Sequence, residues 1–421
     1  MHAAAGMSRM SRVATRETMR LARDGGPAAR TRPERPMFPG GMEVGDEELA
    51  AVERVIRGQN LFRYYGVGDG PGETAALERE FAAFMGVRHA LAVNAGSSAL
   101  ICALIGAGLE PGDEVIVPAY TWNATPNAVL LSGGVPVLAE VDESLTLDPA
   151  DVERKLTPRT RAILAVHMRG APADMDRLTS LARERDLVLV EDVCQAAGAS
   201  FRGRRLGTFG DGGGFSLQFN KIITTGEGGM LITDDAELYR RAIEVHDCAG
   251  PARRGEGPPS FPGWNFRATE LLSAVARVQL GRLDGLLERM RAHHARLSEH
   301  VTSLPGLTLR RPNDEGGDAG IALIAFTETA ALAADAVDAL KAEGVEAMQI
   351  YSPTFLDLHV YRYWKPVLDR LAAAGYPAPE CPRTLDLLER TIHVDVPPQW
   401  DEQDLEEVEL ALTKVAEQVL A

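Results

Sequence analysis

Between residues 89 and 233 the chain repeats one rhythm: a short apolar run, a polar or glycine-bearing turn, then a stretch with helical spacing. The apolar runs fall at 89–93, 114–117, 135–139, 162–166, 187–190, 214–217 and 229–233. Continuous apolar runs of this length, flanked by helices, are the mark of strands covered on both faces. The expectation is an α/β fold with a mostly parallel central sheet that receives ligands at the carboxyl ends of its strands.

The flanks complete the outline. Leu49, Val52, Val55 and Ile56 give 46–57 helical spacing, 74–84 reads as a second helix, and the glycine- and aromatic-rich stretch 58–72 is a loop between them. A long amphipathic helix over 268–299 bridges two lobes, with Gly281 and Gly285 suggesting a bend. Strands at 307–309, 321–326 and 391–394, with helices over 330–343 and 401–421, form a smaller C-terminal α/β domain. A chain of 421 residues exceeds one simple core. The expected division is a disordered tail over 1–35, a large domain over 36–300 that includes the bridging helix, and a small domain over 301–421. The tail is arginine-rich and acid-poor like a transit peptide, but its scattered Gly and Pro weaken any amphipathic helix.

Charge narrows the partners. Lys plus Arg number 44 against 60 Asp plus Glu, a net charge of -16, which disfavours nucleic acid and anionic membrane. No apolar run approaches the roughly 18 residues of a membrane span. Cys102, Cys194, Cys248 and Cys381 show no CxxC pairing, so neither a metal site nor a disulfide framework is expected, and a reducing cytoplasm fits.

Four segments carry the chemistry, in this order: residues 94–100, 191–196, 215–221 and 226–229. Lys221 follows a short strand within a glycine-flanked segment, where a lysine alone would be surface charge. Asp192 follows the run 187–190 and stands either at a strand's carboxyl end or at a helix cap. Gly96, Ser97 and Ser98 lead from a strand into a helix, offering free amides to an anion or simply starting a capped helix. Trp122 alone reads as a core aromatic, Asn265 as loop chemistry beside Gly263, and His167 as a satisfied strand-end histidine.

Taken together, the ordered set resembles the DegT/DnrJ/EryC1/StrS family of sugar aminotransferases, within fold type I of the pyridoxal-phosphate enzymes. The resemblance spans residues 38–421. It rests on Pro118-Ala119-Tyr120-Thr121-Trp122, Val141-Asp142, His167 with Gly170, Ala173-Asp174-Met175-Asp176, and Glu191-Asp192 with Gln195-Ala196. It continues through Gly210-Asp211, Phe215-Ser216, Lys221, Gly226-Glu227-Gly228-Gly229 and Trp264-Asn265-Phe266-Arg267.

The resemblance implies pyridoxal 5'-phosphate as cofactor, held by Lys221 as a Schiff base. It further implies that Asp192 pairs with the pyridine nitrogen, Trp122 stacks on the ring, and Gln195 lies by the ring hydroxyl. Gly96, Ser97 and Ser216 would bind the phosphate, and Asn265 would reach the phosphate of a neighbouring subunit, so a homodimer with shared sites is implied. The resemblance implies Lys221 and Asp192 as the catalytic residues, and since related dehydratases and deoxygenases on this fold replace the lysine by histidine, retention of Lys221 argues for transamination.

Two departures stand out: Gly96-Ser97 replaces the family's Gly-Thr, and Arg169 replaces an aromatic or apolar residue. Gln218, where nucleotide-sugar members often carry histidine, and Met168 lean toward the cyclitol and aminohydroxybenzoate branches. The expected reaction moves nitrogen from glutamine or glutamate to a cyclitol or similar carbocyclic ketone in specialised metabolism. A nucleotide-sugar ketone, an aminodehydration giving an aromatic amine, and a non-catalytic cofactor-binding subunit are the alternatives.

Overall fold

In the computed structural model, residue 17 and residues 19–67 and 72–421 are described. The strands, in chain order, are β1 (His89–Val93), β2 (Glu114–Pro118), β3 (Val135–Ala139), β4 (Thr160–Val166) and β5 (Val188–Asp192). They continue as β6 (Ser200–Phe201), β7 (Arg204–Arg205), β8 (Gly212–Ser216), β9 (Gly229–Thr233), β10 (Thr308–Leu309), β11 (Ala322–Phe326) and β12 (Thr391–Asp395). The central sheet has the order β1-β9-β8-β5-β4-β2-β3. Only β9 runs against its neighbours, so six of the seven strands share one polarity.

Burial explains the apolar runs. On one face, Leu100 and Leu104 of the helix Gly96–Gly106 pack with Leu238 and Ala242 of Ala236–His246 over Val115, Val117 and Leu164. On the other, Leu77, Phe81, Leu178, Leu283 and Leu286 close over Ile116, Ile163 and Phe215. Each strand is thus sandwiched and needs no polar alternation. The chain is thus an α/β fold with a mostly parallel central sheet, as its apolar runs predict.

Glu270–Thr302 is one helix of 33 residues that runs unbroken through Gly281 and Gly285, started by Thr269, whose Oγ1 accepts the amide of Leu272 at 3.3 Å. Its first half packs on the central sheet. Its last turns deliver Leu297 and Val301 to a second core, with Leu323 and Val394 of the antiparallel sheet β10-β11-β12 and Leu340 and Leu412 of its helices. No helix among the described residues is long and apolar enough to cross a membrane.

The expectation of a free tail fails for residues 20–35. Leu21 and Arg30 are each only 2% exposed. Lys414 Nζ lies 2.5 Å from Glu343 Oε2 and donates to the carbonyl of Pro27 at 2.7 Å. Glu343 also accepts the amides of Ala22 at 2.7 Å and Ala29 at 2.8 Å, and Arg30 Nη2 meets Asp404 Oδ1 at 3.0 Å. Arginine-rich composition suggests a solvated segment only while its acidic partners are unseen, and these lie more than 300 positions away. Residues 1–16 and 18 lie outside the described residues.

Because Glu343 and Lys414 are both fully buried, Lys414→Ala leaves a carboxylate without its countercharge. A loss of about 3 kcal/mol is expected for breaking such a pair. It should appear as a lower urea midpoint, with faster amide exchange at residues 21–30.

Candidate active site

Polarity brings the chemistry to one edge. β1, β2, β4, β5 and β8 end at Val93, Pro118, Val166, Asp192 and Ser216, all at the same side of the sheet. The residues that follow them include Gly96 and Ser97, Trp122, His167 and Arg169, Gln195, and Lys221.

Asp192 is the last residue of β5, aligned with Val166 on one side and Gly214 on the other. It is 5% exposed. Its Oδ2 accepts Thr125 Oγ1 at 2.8 Å, and Oδ1 accepts the amide of Cys194 at 3.1 Å. The chain then enters turns rather than a helix, so the helix-cap reading does not hold. A carboxylate has about four lone-pair positions, so two bonds hold Asp192 in place and leave acceptor capacity free.

Glu191 beside it points to the opposite face and is structural. Its carboxylate accepts the amides of Gly207 at 2.7 Å, Phe209 at 2.7 Å and Gly210 at 2.8 Å. His167, fully buried, places Nε2 at 3.1 Å from the same carboxylate while Nδ1 accepts the amide of Ala173 at 3.1 Å. His167 is the satisfied histidine expected from sequence.

Lys221 closes a turn in which its amide donates to the carbonyl of Gln218 at 2.9 Å. Gln218 braces this turn: its Oε1 accepts the amide of Asn220 at 2.9 Å, and its own amide donates to Ser216 Oγ at 3.3 Å. The glycines of 226–229 serve the same region, because a Cβ on Gly229 would lie 2.5 Å from the backbone of Ala95. Lys221 is half-buried, and its charge acts on two neighbours. Burial pushes the Cys194 thiol well up, with Asp192 adding to the rise and Lys221 opposing it. Burial likewise lowers His359, aided by Arg169 and Lys221.

Helix Gly96–Gly106 begins at Ala95 without a side-chain cap, so its first amides are free. Ser97 is exposed there, whereas Ser216 is 7% exposed. Gly96 is required by contact: a Cβ would lie 2.7 Å from Ser216 Cβ and 2.9 Å from Cys194 Sγ.

Trp122 is 44% exposed, which removes the core-aromatic reading. Its ring lies 4.9 Å from that of His359. His359 arrives from the segment 351–363, which pairs onto the end of β2 through the amide of Thr121 to the carbonyl of His359 at 2.9 Å and the amide of Tyr361 to the carbonyl of Ala119 at 3.1 Å. Asp357 fixes this ring, with Oδ1 2.6 Å from Nδ1. Burial works against the Asp357 carboxylate, but His359 and Arg169 outweigh it and hold its pKa below the usual range. Gln195 accepts the amide of Arg169 at 3.1 Å, and its Nε2 stands 3.4 Å from His359 Nε2.

Asn265 is exposed, in a segment bridged to Asp247 and running beside the end of β1. Within one chain it is not joined to the Lys221 turn by any contact among the described residues. Arg267 is engaged with Asp247 at 2.7 Å. Sequence reasoning missed Thr125, Asp357 and His359. The Asp-x-His spacing at 357–359 was the available signal for the latter two, and nothing marked Thr125.

An uncapped helix start, a buried carboxylate with spare acceptor capacity, an open aromatic face and an accessible amine suit a phosphorylated pyridine aldehyde. The model of the DegT/DnrJ/EryC1/StrS aminotransferase family matches residues 43–413. The chain belongs to that family. L-glutamine:2-deoxy-scyllo-inosose aminotransferase of Micromonospora echinospora is 39% identical over 293 residues, covering 62% of this chain and 70% of that one. GDP-perosamine synthase of Caulobacter vibrioides is 43% identical over 211 residues, 49% of this chain and 56% of that one. Among solved structures, S. venezuelae DesV in complex with a ketimine intermediate superposes with a TM-score of 0.78 at 33% identity, covering 92% of this chain and 100% of that one.

As a member of the DegT/DnrJ/EryC1/StrS family, this chain is a pyridoxal-phosphate-dependent aminotransferase.

Since a Cβ at position 96 meets Ser216 and Cys194, Gly96→Ala must shift one wall of the uncapped helix start. Overpacking of this kind costs about 1–3 kcal/mol, so cofactor affinity should fall about 10-fold or more, measured by titrating apoenzyme with pyridoxal phosphate and following absorbance.

Proposed function

We propose that this aminotransferase moves an amino group from glutamine or glutamate to a cyclic ketone, a cyclitol or close relative, in specialised metabolite biosynthesis. The carrying observation is the convergence of Lys221, Asp192 and Trp122 beyond parallel strands, in a chain with a glutamine:inosose aminotransferase among its relatives. Gln218 and Met168 favour the carbocyclic acceptor. A nucleotide-linked keto sugar is the second reading, favoured by the likeness to GDP-perosamine synthase.

When bound, the cofactor supplies an electron sink for the carbon that loses its proton. The residues do the rest. Asp192, held by Thr125 and the Cys194 amide, keeps the pyridine nitrogen protonated. The Lys221 amine would hold the cofactor and, when free, would take up and return the proton of the substrate carbon. Gly96 and Ser97 amides and the Ser216 hydroxyl hold the phosphate, Trp122 covers one ring face, and Gln195 stands by the ring hydroxyl.

Asn265 has no place in its own chain's site, and its exposure suits the phosphate of a second copy. Trp264 at 45% exposure and Tyr65 at 72% supply apolar surface for that copy to cover. The working unit in this reading is a homodimer with shared sites.

The test is the visible spectrum of the holoenzyme before and after addition of glutamine and, separately, glutamate. One donor should bleach the cofactor band, and the product should then aminate a cyclitol ketone faster than a nucleotide-linked one. Lys221→Ala should slow the conversion by about 10²–10⁴-fold, the usual worth of a positioned acid-base. A band that no donor changes would end the transaminase reading for this acceptor class and favour the non-catalytic one. Mixing inactive Lys221→Ala and Asn265→Ala proteins should restore activity, because one site of the mixed dimer is then intact. No recovery after subunit exchange would count against the shared site.

A further inference from the structure

Arg169 follows β4 in the midst of the site, and none of the roles above uses its side chain. Its backbone lies in the left-handed region, at φ 52°, where glycine is at ease and a long side chain is uncommon. Two features keep it there. Its amide donates to Gln195 at 3.1 Å, and Gly170, at φ 81°, packs so closely that a Cβ would lie 3.0 Å from Ala319 Cβ and 3.1 Å from Ile321 Cγ1. The backbone therefore fixes the direction in which the side chain leaves.

That side chain sits in the field of Tyr120, Asp357 and Asp395 and acts in turn on His359. Its Nε is buried without a hydrogen-bond partner, and the buried Tyr120 hydroxyl beside it interacts with the same guanidinium. Each nearby acid also has another partner: Asp357 is bonded to His359 at 2.6 Å, and Asp395 stands 3.4 Å from His393. Burial alone would discourage a charged guanidinium, yet the Tyr120 oxygen and the carboxylates of Asp395 and Asp357 outweigh it and raise its pKa. A charged fork with an unused donor, on a residue whose amide is held by Gln195 and whose charge acts on His359 beside Trp122, suits a planar oxyanion at the rim of the cofactor site.

The geometry points to Arg169 as the residue that binds the α-carboxylate of the amino donor and so sets donor specificity. The inference rests on the proposed amino-acid donor: every such donor carries a carboxylate beside the nitrogen that must reach Lys221, whereas a cyclitol ketone carries none. Arg169 is then one receptor for the donor half of the reaction, with the Tyr120 hydroxyl as a second hydrogen-bonding group.

The experiment follows the two half-reactions separately on cofactor-loaded wild type, Arg169→Gln and Arg169→Lys, and measures binding of glutarate to each by calorimetry. Arg169→Gln should raise the donor KM by about 100-fold and weaken glutarate similarly, as loss of a charge-assisted pair does. It should leave amination of the ketone by the pyridoxamine form within about 3-fold. Glutamine should lose its advantage over 4-aminobutanamide, the same molecule without the carboxylate. Arg169→Lys, which keeps the charge and loses the fork, should fall between, at about 10-fold. Unchanged donor KM in Arg169→Gln overturns the inference, as does a loss confined to the ketone half-reaction, which would assign the anion to the acceptor. If Arg169→Gln fails to load cofactor, unchanged donor and glutarate affinity in Arg169→Lys is decisive against it. A wild type that no amino acid bleaches would refute the donor reading instead, while the glutarate measurement still reads Arg169.

Discussion

A parallel ladder commits the chain to crossovers, because each strand must be followed by a covering element before its neighbour can pair. In this protein the commitment produces the site. Strands β1, β2, β4, β5 and β8 all end on one edge, so the segments leaving them must share that edge even though they come from residues 94 to 221 of the chain. The pairing of Val166 with Asp192 and of Asp192 with Gly214 fixes the depth of the Asp192 carboxylate. Lys221 has no such ladder. It stands instead on a turn braced by Gln218 and Ser216.

Adjacent residues of β5 illustrate how much a strand's alternation decides. Glu191 and Asp192 are both buried acids at one strand end. Glu191 faces the loop 207–210 and is saturated by three amides and His167, so it ties structure together and has nothing left to offer a ligand. Asp192 faces the other way, meets only Thr125 and one amide, and keeps capacity in reserve. The same functional group is inert on one face and available on the other.

Strand positions and the order of the motif segments were legible from sequence, since both follow from local pattern: β1, β3 and β9 match the apolar runs residue for residue. Asp192 and Lys221 were legible for the same reason, each lying a fixed distance beyond such a run. What local pattern does not carry is who meets whom across the fold. Thr125 looks like any helix threonine until Asp192 is beside it, and the segment 351–363 gives no sign that it will pair with residues 119–121 to set His359 next to Trp122. Gly281 and Gly285 misled in the other direction. Neither has a neighbour crowding it, and the packed face of the long helix holds it continuous.

The clasp between residues 21–30 and the small domain has a bearing on how the chain reaches this state. Pro27 and Lys414 are separated by 387 positions. During synthesis the early segment emerges long before the helix Glu402–Val415, with the Lys414 that bonds Pro27, and most of the second core exist. It must therefore wait, exposed, while the central sheet assembles, and the small domain can close only when the final turns of the chain are free of the ribosome. The clasp can therefore form only after the strands of the central sheet have all been made.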